Sequence, residues 1–332
     1  MNRAKPSSIW DRTISRPRPL WATVVVVALI YLPSLAAGVA LGLTDFTSEP
    51  ASRALLAPPT VIAYVFILGP ILGPLEVAVV RSLRPILQAE AEEVDRIVRR
   101  AETVTPWQEL AAIGAGLALG VLVIGFPAAP ARSWPNLVIV ASAYAMLGLL
   151  GWTGFVSIAG TRVLNAVLRL PMQVDPLDRK PFEPIGRWSL AIALAFVGGI
   201  LIGLILGSYG PAALLEPRFW LLFLPLSLLP VVIFYLNMGP THRVLAAARD
   251  GALAEVQNEL RRSFPMLLAR MRRGEATGNL PWEINALVAY EKELDQVSTW
   301  PYNPVILRTL FVSVLIPAAT LLTRRIAEVY IR

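Results

Sequence analysis

The chain contains no cysteine and a single histidine in 332 residues. The first absence excludes disulfides, thiolate metal sites and cysteine nucleophiles. The second leaves few ways to build a general base or an activated nucleophile. Charge is sparse as well, at 16% of residues against 55% hydrophobic, and the mean hydropathy is +0.59. There is no Walker motif, no H-E-x-x-H and no G-x-S-x-G. The run GAGLALG, Gly114–Gly120, places its third glycine one position late for dinucleotide binding and lies inside an apolar stretch. The expectation is a protein that is not an enzyme and carries no cofactor or metal.

What the chain has in abundance is long apolar runs. Six are near the length of about 20 residues that a helix needs to cross roughly 30 Å of hydrocarbon. They are Trp21–Leu43, Pro59–Val80, Trp107–Phe126, Leu137–Gly160, Trp188–Gly207 and Trp220–Met238. A seventh, Thr309–Leu322, is shorter and contains Pro317. It reads as a short or tilted spanning helix, with a surface-lying or re-entrant helix as the alternative. Uninterrupted apolar runs lack the alternation of a membrane β-barrel. The fold class is therefore all-α: a polytopic helical membrane protein with six spans and a short C-terminal seventh. Its expected parts are a leader (1–20), a six-helix membrane domain (21–240), a helical hairpin (241–300) and a terminal membrane-associated helix (301–332).

Basic residues set the orientation. The leader carries five, Arg3, Lys5, Arg12, Arg16 and Arg18, and the run that follows is too long for a cleavable signal, so it reads as a retained anchor. The connection after the second span carries five, that after the fourth another five, and the segment from Arg243 to Lys292 eight. The three intervening loops hold one each, Arg53, Arg132 and Arg218. Basic loops stay on the cytoplasmic side. The net charge of +7 is thus a topology and lipid-surface signal. No nucleic-acid motif accompanies it, and nucleic acid is not an expected partner. The location is the plasma or inner membrane, with the amino terminus in the cytoplasm.

Two cytoplasmic segments show helical periodicity. Residues 86–102 carry Ile86, Leu87, Val94, Ile97, Val98 and Ala101 on one face, an amphipathic helix lying on the membrane or on its neighbours. A metal site from Glu90, Glu92, Glu93 and Asp95 is the weaker reading, since Arg96, Arg99 and Arg100 balance their charge. From His242, after the break NMGPT, a seam runs through Leu245, Leu253, Val256, Leu260, Phe264, Leu267 and Met271. The stretch RGEATGNLP interrupts it, and a second helix resumes through Trp282, Ile284, Leu287, Leu294 and Val297. The pattern predicts an antiparallel pair turning near Gly274–Leu280. A coiled coil that binds a cytoplasmic partner is the sharper alternative. His242 itself reads as structural.

Inside the apolar runs, glycines repeat at four residues: Gly38 and Gly42, Gly69 and Gly73, Gly116 and Gly120, and Gly199, Gly203 and Gly207. Such spacing lets helices approach closely and predicts a tight bundle or a homo-oligomer. The stretch FILGPILGPLEVAVVRS, Phe66–Ser82, stands apart. Pro70 and Pro74 strip the carbonyls of Phe66 and Pro70 of their usual donors, and Glu76 follows as the carboxylate within the apolar cores. Broken helices beside an acid hold cations in many transporters and channels. Phe66, Gly69, Pro70, Gly73, Pro74 and Glu76 are accordingly the candidate ion or substrate path, with departure from regular helix expected between Phe66 and Pro74. The alternative places Glu76 in the headgroup region, paired with Arg81 or Arg84.

Three stretches, RLPMQVDPLDRKPFEPIGRWSL (Arg169–Leu190), GPTHRVLAAARDGALAEV (Gly239–Val256) and ELDQVSTWPYNPVILRTLFVSVLIPAATLL (Glu293–Leu322), resemble a family of uncharacterised prokaryotic multipass proteins. The Trp-Pro-aromatic turn Trp300–Tyr302 before a short apolar helix carries most of that resemblance. It implies a multipass membrane protein and supplies no activity, ligand or catalytic residue. Trp300 then reads as a membrane-interface anchor. The functional expectation is a channel- or transporter-like membrane protein, with ion or substrate undefined. The alternative is a membrane-anchored signalling or scaffold protein acting through the hairpin.

Overall fold

The computed structural model describes residues 18–43, 50–125, 133–206 and 217–300, together with residues 14, 308 and 312. Most of the leader and, apart from residue 312, the seventh apolar segment lie outside them. The described chain is helical: α1 (Leu20–Ala40), α2 (Pro50–Leu83), α3 (Ala91–Glu102), α4 (Pro106–Ile124), α5 (Trp134–Val167), α6 (Glu183–Leu206), α7 (Pro217–Arg273) and α8 (Leu280–Gln296). Six of these, α1, α2, α4, α5, α6 and α7, are long and apolar enough to cross a membrane. No strand forms among the described residues; one antiparallel bridge joins Leu87 to Met172.

Helix ends follow local chemistry. Gly42 closes α1 at φ 76°, with the Leu43 amide donating to Gly38 O at 3.0 Å and the Gly42 amide to Val39 O at 3.0 Å. Gly274 closes α7 the same way at φ 68°, through Glu275 to Arg270 and Gly274 to Met271. Both are left-handed glycine caps that satisfy the last carbonyls. Gly42 is therefore a terminator, not half of a packing pair. Thr105 opens α4 with a capping box to Gln108, and Pro106 occupies the first turn.

Two expected breaks are absent. Helix α2 runs without interruption through Pro58, Pro59, Pro70 and Pro74, so no departure from helix separates Phe66 from Pro74. Helix α7 likewise passes through Pro225, Pro230, Pro240 and Pro265, and NMGPT lies within it, so the membrane segment and the hairpin's first arm are one helix. A proline removes one donor, whereas unwinding a turn in an apolar medium orphans several more. Continuing the helix is the smaller cost. The amphipathic helix also starts later than expected, at Ala91 rather than residue 86. Residues 86–88 pair instead with the other basic loop, through Gln88 N to Pro171 O (3.0 Å) and Gln173 N to Ile86 O (2.8 Å).

Facing contacts give the helices a common depth scale. Tyr31 of α1 donates to Thr60 of α2 at 2.7 Å, which puts Leu20 level with about Ile71. Gly116 of α4 faces Leu147 and Gly148 of α5, which puts Pro106 level with about Ser157. Gly160 of α5 lies at the height of Glu76 of α2 and Trp188 of α6. Helices α1 and α4, of 21 and 19 residues, span about 30 Å at 1.5 Å per residue. From their arginine-rich ends, α2 and α5 continue for roughly 15 Å more. The fold thus has two layers.

The second layer holds the most completely buried core. Leu83, Val167, Phe182, Ile185, Ile233, Phe234 and Met238 are almost solvent-free there, with Val94 of α3 at 1% exposure beside them. Ser82 Oγ donates to Pro181 O at 2.8 Å, and Arg84 pairs with Asp95. Helix α8 folds back along α7 through Val256, Leu260, Ile284 and Leu294. Gln257 bonds Glu291 at 3.0 Å and Arg249 bonds Asp295 at 3.2 Å along the pair. Phe264 and Met271, expected in this seam, are 45% and 62% exposed, because they face outward on α7, whereas Leu267 keeps the seam toward the tip. Trp300 stacks on His242 with ring centroids 4.3 Å apart, and His242 Nδ1 lies 3.2 Å from Thr299 O. The lone histidine ties the end of the hairpin to the body.

Candidate functional site

Helices α2, α5 and α6 line a half-open cavity of about 510 Å³, with residues of α3, α4 and α7 contributing to its walls. Glycine makes much of this space. Gly69 and Gly73 of α2, Gly160 of α5, and Gly199 and Gly203 of α6 all line it. A Cβ at Gly203 would meet nothing within 4 Å, and one at Gly199 only the Tyr64 ring at 3.7 Å. Ile14, 2% exposed, rests on Gly69. The four-residue glycine repeats therefore serve two purposes. Gly116 and Gly120 bring α4 against Leu147, Gly148 and Tyr144 of α5, the close approach that the spacing predicts. Gly199 and Gly203 of α6 open onto the cavity, and Gly69 of α2 makes room for Ile14.

The candidate path residues divide by helix face. Gly69, Gly73 and Glu76, at three-and-four spacing, line the cavity. Phe66, Pro70 and Pro74 do not: Pro74 is exposed, and Phe66 carries the Arg18 guanidinium 5.4 Å from its ring centroid. Glu76 Oε1 lies near Gly160, 3.8 Å from where a Cβ would stand. Arg84, one of its expected partners, is engaged by Asp95.

Polarity in the cavity is confined to one end. Glu76, Arg81, Arg84, Asp95, Arg99 and Glu109 line the part nearest the second layer. The remaining walls are apolar apart from three hydroxyls, each donating to a helix carbonyl: Ser157 to Thr153 O (2.8 Å) and Thr153 to Leu149 O (2.7 Å) near Glu109, and Tyr64 to Ala195 O (3.0 Å) farther from the charges. Glu109 was missed in the sequence. It is 6% exposed and lies within the third apolar run, so Glu76 is not the sole carboxylate in those cores. Its place two residues beyond Trp107 gave the signal, but the first turn of a helix is also where acids are ordinarily favoured. No group of three His, Asp or Glu able to hold a metal occurs among the described residues.

No protein-family model, no curated protein and no solved structure matches this chain.

Proposed function

We propose that this chain is a multi-pass membrane protein of transporter-like type, cytoplasmic at its amino terminus, that takes an amphiphilic molecule into the cavity between α2, α5 and α6. The observation that carries this reading is the match between polarity and depth. The ends of α1 and α4 mark a slab about 30 Å thick, the thickness of hydrocarbon. Trp21 and Trp107, 71% and 80% exposed, sit at its arginine-rich face, where aromatic belts form. Along α2 the apolar stretch from Val61 to Gly73 rises about 18 Å within the slab, close to one leaflet. Glu76 and the arginines lie beyond it, at headgroup height. An amphiphile standing in the inner leaflet would meet apolar walls and charged groups in the same order. An ion path is less well supported, because the outer half of the cavity offers no free polar lining.

The test uses a wall position where an added Cβ meets nothing within 4 Å. Gly203→Phe adds a ring at the apolar end. Lipids retained by the purified protein, counted by native mass spectrometry, should fall in this variant, most for long chains. Unchanged retention would reject the cavity as the binding site.

A second reading, a membrane-anchored scaffold acting through the α7–α8 hairpin, is favoured by one observation. Phe264, Met266, Leu268, Met271 and Trp282 are 45–74% exposed near the tip. It predicts that shortening the hairpin abolishes function while filling the cavity does not.

A further inference from the structure

Near the far end of α7, three large apolar side chains face water in a row. Phe264, Leu268 and Met271 are 45%, 51% and 62% exposed. They recur at i, i+4 and i+7, so they share one face of the helix, beside the seam that Leu260 and Leu267 make with α8. Single exposed apolar residues are ordinary, whereas a contiguous stripe marks a contact surface. The sequence around it, RRSFPMLLARMRR (261–273), holds five arginines and no acid. Arg262 and Arg273 pair with Glu259 and Glu275 at 3.2 and 3.7 Å. Arg261, Arg270 and Arg272 form no ion pair among the described residues. At about 3.6 residues per turn, Arg261 and Arg272 stand along one edge of the stripe, about three turns apart.

We infer that this face of α7 docks an amphipathic helix of another protein, one with apolar residues at three-and-four spacing and acidic residues along one edge. Its apolar residues would cover Phe264, Leu268 and Met271, and its carboxylates would meet the forks of Arg261 and Arg272. The position of the stripe excludes the protein's own bilayer. Leu229 of α7 faces Gly154 of α5, three residues before Ser157, which is level with the start of α4. From that level to Leu268 the uninterrupted helix runs roughly 50 Å. That is several Debye lengths, each about 10 Å, from the head groups. A second copy in the same membrane, related by rotation about the membrane normal, would bring the same arginines to the same height, like against like. The inference rests on the hairpin reading and not on the cavity, so Gly203→Phe should leave the docking unchanged.

The probe is a fluorescent amphipathic peptide of leucine and glutamate, with leucines at three-and-four spacing. Its control carries lysine in place of every glutamate. Both are titrated against the full-length protein in nanodiscs of zwitterionic lipid, with empty nanodiscs as blank, and binding is read by anisotropy. The acidic peptide should bind at least about ten-fold more tightly than the lysine peptide, and less tightly as salt rises. Phe264→Asp with Leu268→Asp should weaken it about ten-fold or more. Arg261→Gln with Arg272→Gln should weaken it several-fold and remove most of the salt dependence. Met266→Asp, on the opposite side of α7, should leave the affinity within about two-fold. Wild-type melting and protease protection of α8 in each variant separate lost docking from lost folding. Equal binding of the two peptides, or an unchanged affinity in the Phe264 and Leu268 variant, would overturn the inference. Capture of mixed phosphatidylcholine–phosphatidylglycerol vesicles without peptide binding would overturn it in favour of a lipid surface. Self-association without peptide binding, lost in Phe264→Asp with Leu268→Asp, would overturn it in favour of a second copy.

Discussion

Gly116→Ala is the sharpest test of how α4 meets α5. A Cβ at this position would collide with the carbonyl oxygen of Leu147 and stand 2.9 Å from its carbonyl carbon and 3.0 Å from Gly148 Cα. Those are backbone atoms of another helix, so no rotamer change relieves the contact. Ordinary Cβ separations of about 3.5–4 Å require the helices to part by more than about 1 Å, and a gap of about 0.5–1 Å already forfeits a quarter to a half of the dispersion energy of each contact along the seam. Helix propensity alone would favour alanine by about 1 kcal/mol. Overpacking of a close interface costs about 1–3 kcal/mol, so the net effect is a loss of up to about 2 kcal/mol. At about 2–4 °C per kcal/mol for a chain this long, the melting temperature falls by up to several degrees. The control is Gly114→Ala on the same helix, where a Cβ meets nothing within 4 Å. It should be neutral or stabilising by up to about 1 kcal/mol. Thermal unfolding followed by fluorescence-detected size exclusion separates the two. Equal melting temperatures for both variants would refute the close approach of α4 to α5.

Leu260→Asp places a carboxylate in the buried face between α7 and α8, where Leu260 is 8% exposed, and should cost about 3 kcal/mol or more and expose α8 to protease. Phe264→Asp, one turn along but outward-facing, should stay within about 0.5 kcal/mol and keep the wild-type cleavage pattern. The absence of native cysteine makes single-cysteine labelling clean. A cysteine at Arg218 should react with a membrane-impermeant maleimide in intact cells, and cysteines at Arg96 and Arg187 only after lysis. Reaction of the cysteines at Arg96 and Arg187 in intact cells, with that at Arg218 protected, would reverse the orientation derived from the charges.

Much of the architecture was legible in the chain because it rests on local properties. The length of each apolar run, the alternation of arginine between loops, the caps at Gly274 and Thr105 and the period of Val256, Leu260, Ile284 and Leu294 need only neighbours in sequence. Proline misled the same local reasoning. It flagged a break at Pro70 and Pro74 and another at Pro240, but helix continuity is decided by whether the remaining backbone groups have an alternative partner, and in apolar surroundings they have none. The roles of the glycines were equally hidden. Identical four-residue spacing became a close contact in α4 and open space in α6, because the rotation of each helix about its own axis is set by every helix packed against it. The same rotation turned Glu76 and Glu109, on separate helices, into walls of one cavity. Sequence determined which segments are apolar helices and which loops are basic, since both are properties of short stretches. Only tertiary structure decided which faces touch, how far α2 and α5 outrun α1 and α4, and which charges share a space, since each of these depends on residues far apart in the chain brought to the same depth.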